Sequence, residues 1–183
     1  MQYHERVGVM IIVLLVFRFF WGILGSQPSR FGDFVKGPAA VWRYAKGLVK
    51  DNSKRYVGHN PLGGWSVLAM LLVLTLQACL GLFANDDIIT EGPLYMWVSK
   101  ATSDWLTKIH RLNQYVLMGL IALHLFAVAF HYFVKHENLL KPMITGRKDW
   151  SGGNDEPAIV SAWLAVVIAV CAGCGVYLLI YYQ

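Results

Sequence analysis

Three histidines punctuate one apolar stretch of the chain. Residues 108–131 read KIHRLNQYVLMGLIALHLFAVAFH, with His110, His124 and His131 spaced through it. A polar side chain inside an apolar segment costs free energy unless something binds it. His110 and His124 are 14 residues apart. On a helix that is just under four turns, so both imidazoles lie on one face, separated by ~21 Å along the axis. This is too far for one metal ion. It suits two flat cofactors stacked across a membrane, each held by one imidazole. Haem iron accepts neutral imidazole as an axial ligand, and apolar helices supply the dry pocket it needs.

Two axial ligands per iron require a second imidazole at each level. His4 opens the first apolar run of the chain as His110 opens the third, on the same side by the loop charges described below. The two are the best candidate pair. Arg18 follows His4 by the same 14 residues and so shares its face. There it either meets a haem propionate or snorkels to the interface. Arg111, next to His110, has the same chemistry to offer at the other level. His124 has no histidine at its depth on another apolar run. His131, two turns beyond it, reads as a propionate partner or a proton-handling group at a quinone site. His59, in GHNPLGGW, and His136, in VKHENLL, read as a turn residue and a solvated interface residue.

The elements that must position these groups are helices in a membrane. The chain has 183 residues, 56% hydrophobic and 15% charged, with a mean hydropathy of +0.46. That is too apolar for an ordinary soluble domain. The apolar residues gather into four runs, at roughly 8–24, 63–83, 115–134 and 158–182. Each approaches the ~20 residues that a helix needs to cross the hydrocarbon. Flanking tryptophans and tyrosines such as Trp65, Trp105, Trp163 and Tyr181 favour the membrane–water boundary. The expected fold is an all-α integral membrane bundle of four transmembrane helices, forming one domain over 1–183. The helices are placed at about 6–25, 63–84, 105–135 and 157–181.

The net charge of +5 does not point to nucleic acid, because its distribution follows the rule for membrane loops. Residues 26–62 hold Arg30, Lys36, Arg43, Lys46, Lys50, Lys54 and Arg55 against Asp33 and Asp51. Residues 135–156 again carry Lys135, Lys141, Arg147 and Lys148, whereas 84–108 set Lys100 and Lys108 against Asp86, Asp87, Glu91 and Asp104. The first and third loops are therefore expected in the cytoplasm, with the second loop and the N-terminus outside. An outside N-terminus beginning MQYHERVG, with no signal peptide, implies tail-first insertion or a preceding helix. Cys171 and Cys174 form a CAGC within the fourth run, with no second pair and no following histidine. Small residues that let helices approach are the plainer reading.

The chain resembles the bacterial cytochrome b561 family, in particular its branch of b-type cytochrome subunits of nickel–iron hydrogenases. The stretches that carry the resemblance are FRFFWGILGSQPSRFGDFVKGP at 17–38, YVGHNPLGGWSVLAMLLVL at 56–74, LTKIHRLNQYVLMGLIALH at 106–124 and HENLLKPMITGRK at 136–148. The resemblance implies a helical bundle carrying two haem b groups. It matches His4 and His110 to the ligands of the outer haem, and His124 to one ligand of the inner haem. The inner haem's other ligand, in the family, stands in a His-Trp dipeptide on a first helix that has no counterpart here. Either a partner subunit or a preceding segment supplies it, or this member keeps one haem; the expectation is a second haem at His124 with an external ligand.

No nucleophile, paired catalytic carboxylates or phosphate loop appears in the sequence. The expected function is electron transfer in the bacterial inner membrane, between the quinone pool and a periplasmic redox partner, a c-type cytochrome or a hydrogenase. This makes the chain an electron-transfer subunit rather than a stand-alone enzyme. The alternatives are a quinone-reducing oxidoreductase acting on a small species such as superoxide, and a non-redox accessory subunit.

Overall fold

The computed structural model describes residues 2–49, 56, 58–146 and 157–182. Lys50, Asp51, Lys54, Arg55, Arg147 and Lys148, which entered the loop charges, lie outside the described residues. Four helices are long and apolar enough to cross a membrane. They are α1 (Gln2–Leu24), α4 (Pro61–Leu82), α5 (Lys100–Phe133) and α7 (Ala162–Tyr181). Shorter helices α2 (Phe31–Phe34), α3 (Pro38–Val49) and α6 (Leu140–Thr145) lie between them, and no strand forms among the described residues. The all-α membrane architecture is as the apolar runs require.

Local signals set the helix starts. Asn60 accepts a hydrogen bond from the Gly63 amide at 2.7 Å, and Pro61 follows it at the first helical position. Ser99 caps α5 by accepting from the Thr102 amide at 3.2 Å, and Ser161 caps α7 by accepting from the Trp163 amide. The α5 cap carries that helix to 34 residues, well beyond what a bilayer demands. The four long helices stand in the order α7, α1, α4, α5, each packed on the next. Little of the bundle is buried. Residues such as Leu72, Phe126 and Val170 are exposed on the outer surface, where hydrocarbon would cover them.

Two seams hold the row together. Between α1 and α7 the contact is apolar, with Ile168, Ala172, Val176 and Ile180 buried at successive turns of α7. CAGC therefore contributes Ala172 to the packing, while both of its cysteines stay exposed. Between α4 and α5 the contact is polar. Ser103, Thr107, His110 and Asn113 recur along one face of α5. The Ser103 hydroxyl donates to the Phe83 carbonyl at 2.6 Å, and the Asn85 amide donates to Thr107 at 3.0 Å. Hydrogen bonds of this kind are worth ~0.6–2 kcal/mol each between membrane helices.

The segment following α1 is folded tightly beneath the bundle. Gly22 of α1 lies against the Phe31 ring and Gly64 of α4 against the Phe34 carbonyl, so neither position has room for a side chain. The Trp65 indole donates to the Lys36 carbonyl at 2.7 Å, fixing the approach to α3.

Candidate cofactor sites at the two ends of the bundle

The end of the bundle that carries the α1 N-terminus brings His4 and His110 together. Their ring centroids are 6.0 Å apart, with planes inclined at 83°. α4 sets the orientation of His110. The ring's Nδ1 lies 2.9 Å from the Gln77 carbonyl oxygen. A carbonyl can only accept, so Nδ1 carries the proton and a neutral ring presents its lone pair at Nε2. That lone pair faces the Gln77 side-chain nitrogen at 3.3 Å. Asn113, buried on α5, donates to the Gln77 side-chain oxygen at 2.8 Å and to the Val73 carbonyl at 3.0 Å.

Space as well as hydrogen bonding places the ring. Gly81 lies one turn beyond Gln77 on α4, and a Cβ there would stand 3.2 Å from His110 Cε1. Arg111 is exposed and neighbours His110 in sequence. Gln77 was not singled out from the sequence. Its signal was available, because a carboxamide in the middle of an otherwise apolar span needs a partner.

At the opposite end the structure gathers Arg18, His59 and His124 with two aromatic rings. The Arg18 guanidinium carbon lies 4.8 Å from the Phe31 ring centroid and 5.7 Å from that of Phe34. Its Nη1 is buried and has no hydrogen-bond partner among the described residues. The His59 ring sits 5.0 Å from the Phe34 ring. Burial lowers its pKa below the ordinary value, and the positive fields of Arg18 and then His124 lower it further. His59 is thus more than a turn residue, since it stands within electrostatic reach of the imidazole for which the sequence showed no companion. His124 itself is half-buried on α5.

His131 lies elsewhere. It is buried at the end of α5, and its Nδ1 is 3.3 Å from Glu137 Oε2. Tyr44 of α3, also buried, has its pKa pushed up to about 12 by burial and by the negative fields of Glu137 and Tyr56. His136, exposed, turns the chain between them with a φ of 50°. Among the described residues no cluster of three histidine, cysteine or acidic side chains has metal-binding geometry.

The residues do fit haem b. Two imidazoles meet edge-on at one end, one of them with its tautomer fixed by α4 so that Nε2 presents the lone pair that a haem iron would take. A buried guanidinium nitrogen at the other end lacks the anion it would complement. Imidazoles on apolar membrane helices, with this second-sphere support, define the class of membrane b-type cytochromes. The chain belongs to the prokaryotic cytochrome b561 family, whose profile matches residues 1–146. Membership implies haem b as the cofactor.

Two similar proteins are each described as a probable Ni/Fe-hydrogenase B-type cytochrome subunit. The one from Rhizobium leguminosarum bv. viciae is 24% identical over 163 residues, covering 79% of this chain and 66% of that protein. The one from Bradyrhizobium diazoefficiens is 22% identical over 170 residues, covering 80% and 65%. The chain thus spans just under two thirds of the length of these relatives. No solved structure matches it.

Proposed function

We propose that this chain is an electron-transfer subunit of the bacterial inner membrane, which passes electrons between a redox partner on the outer side and the quinone pool. The observation that carries this reading is the His4–His110 pair, 6.0 Å between centroids, with His110 anchored through Nδ1 to α4. When bound, haem b supplies the one-electron couple. The protein's own residues do the rest. His4 and His110 would hold the haem iron through their imidazoles, with Nε2 the nitrogen that the tautomer of His110 leaves free of a proton. The Gln77 carbonyl keeps the ligating tautomer and raises its basicity. At the other end His124 would supply an imidazole for a second haem and Arg18 a positive charge for its propionate. His59 stands within electrostatic reach of both groups. Arg111 offers the outer haem the same charge. The apolar faces of the helices keep water out and hold the dielectric low.

The relatives described as hydrogenase subunits support a hydrogenase as the outer partner, with a c-type cytochrome as the alternative. The excess of lysine and arginine in 26–62 and 135–156 over 84–108 supports an outer N-terminus. The second ligand for His124 comes, on this reading, from a further membrane subunit or a preceding segment.

An optical spectrum tests the proposal. The purified protein should show the reduced α-band of a low-spin, bis-histidine haem b, and His110→Ala should abolish the signal of the haem at that end. An unchanged spectrum in that variant would refute the ligand assignment, and a protein with no haem signal would refute electron transfer altogether.

A further inference from the structure

The segment after α1 contains a helix that haem binding does not use. α3 has two unlike sides. Tyr44 and Leu48 lie one turn apart on the side that packs against α4, and Tyr44 is buried there. Ala39, Trp42, Arg43 and Lys46 fall within an arc of about 100° on the opposite side. All four are exposed. The Lys46 ammonium stands over the Trp42 ring, 5.0 Å from its centroid. Among the described residues the ion pairs are those of Lys100 with Asp87 and Asp104 and of His131 with Glu137, so no carboxylate there answers Arg43 or Lys46. The outer side of α3 is thus aromatic and cationic, with no counter-charge from the described residues.

Two hydrogen bonds fix the depth of this helix. Just before its start, the Lys36 carbonyl accepts from the Trp65 indole at 2.7 Å. Trp65 stands in the second turn of α4, where that helix enters its apolar run. Near its end, the Leu48 carbonyl accepts from the Lys135 ammonium at 2.7 Å. Lys135 follows the last residue of α5, Phe133, by two positions. Both ends of α3 are therefore tied to the level at which α4 enters the hydrocarbon and α5 leaves it. Twelve residues of helix are ~18 Å long. With both ends at one level, the axis runs along the membrane surface rather than away from it. The outer side of α3 lies at the depth of the headgroups, where an indole is favoured and a lysine or arginine can meet phosphate. Lipid is already present at that depth, whereas a protein partner would have to displace it.

We propose that the outer side of α3 is a binding surface for phospholipids with negatively charged headgroups. Arg43 and Lys46 meet the phosphate and the headgroup charge, and the Trp42 ring settles beside them at the boundary with the acyl chains. Charge selects the anionic lipid over the neutral one. A zwitterionic headgroup brings its own cation, which repels Arg43 and Lys46 as its phosphate attracts them. A net negative surface strengthens the attraction of each basic residue held near it by about fivefold. A basic helix with tryptophan on the same side is a form that binds anionic membrane surfaces. Here the helix is held in place by α4 and by Lys135, so the surface is set before lipid arrives. The contact involves lipid alone and does not depend on the electron-transfer reading above.

The test uses the full chain with its native cysteines replaced and a bimane fluorophore on Ala39→Cys, which shares the face of Arg43 and Lys46. It is reconstituted in phosphatidylcholine bilayers that contain, at equal mole fraction, either spin-labelled phosphatidylglycerol or spin-labelled phosphatidylcholine. The anionic lipid should quench the fluorophore several-fold more strongly, and added salt should shrink the difference. Arg43→Gln/Lys46→Gln should erase the difference with helical content unchanged, while the charge-preserving Arg43→Lys/Lys46→Arg should keep it. Equal quenching by the two lipids would overturn the proposal, as would a preference that survives the glutamine variant. Quenching by neither lipid would overturn it too, by placing this side of α3 in water or against a protein. The salt titration needs no charge substitution, so a preference indifferent to salt would refute the proposal even if the glutamine variant failed to fold. The fluorophore reports without haem, so a protein lacking a haem spectrum would refute the proposed function while leaving this result standing.

Discussion

At the scale of single residues, the ligating face of His110 depends on what α4 omits as much as on what it supplies. Gln77 supplies a carbonyl for Nδ1, and Gly81 leaves the ring room to reach it. A branched side chain at 81 would enter the space of Cε1, 3.2 Å from where its Cβ would begin. Gly81→Val should therefore swing the imidazole off the carbonyl and lower the haem-to-protein ratio several-fold without unfolding the helices. Pyridine haemochrome and circular dichroism together measure both. His59 gives a second expectation, whose sign follows from its lowered pKa. In the unfolded chain it takes up a proton near pH ~6.5, whereas in the folded protein it does so only at lower pH. The unfolded state thus binds more protons between the two values. Stability is fully present above the unfolded pKa and falls as the pH drops below it, until the folded pKa is passed. His59→Gln should flatten this dependence in denaturation curves taken between pH 7 and 5.

At the scale of elements, the membrane helices follow from composition, but what lies between them follows from finer patterns. Residues 26–62 counted in the sequence only as a basic loop, yet they contain α2 and the twelve-residue α3. α3 buries Tyr44 and leaves Trp42 63% exposed, with the Lys46 ammonium 5.0 Å from the Trp42 ring centroid. A helix with aromatic and cationic groups on its open side suits the membrane interface, and the span is too short to cross. If the charge distribution sets the orientation, this helix faces the cytoplasm and the loop between α4 and α5 the exterior. In a background with the three native cysteines replaced, a membrane-impermeant thiol reagent should label Ile88→Cys in intact cells and leave Ala39→Cys unlabelled until lysis. The reverse pattern would invert the topology. The same contrast explains how far the sites could be read. The spacing of His4, Arg18, His110 and His124 is periodic, and periodicity survives in sequence. A carboxamide in an apolar span signals that Gln77 needs a partner, but the partners of Gln77 and His59 lie across elements, on α5 and in the α2 ring of Phe34, and no local pattern names those.

At the scale of the whole molecule, the row α7, α1, α4, α5 treats its two ends unequally. At one end α1 and α5 each bring an imidazole, and the pair is complete within the chain. At the other end α1 brings Arg18 in place of an imidazole, its Nη1 buried with no hydrogen-bond partner among the described residues, and His124 is half-buried. A buried guanidinium nitrogen left unbonded costs ~1–3 kcal/mol or more, and that cost disappears if a haem propionate occupies that level. α5 has room for a further helix, since Leu112, Met118, Leu123 and Phe126 are exposed along its length and one side of the row is open. The chain alone should accordingly retain one haem, and gentle solubilisation with its membrane partner should yield two. In that preparation His124→Ala should remove one haem and leave the signal of the His4–His110 site intact, while His110→Ala should do the converse. A partner-containing preparation with one haem, and a spectrum indifferent to His124→Ala, would make His124 a structural residue of α5 and confine electron transfer to a single centre.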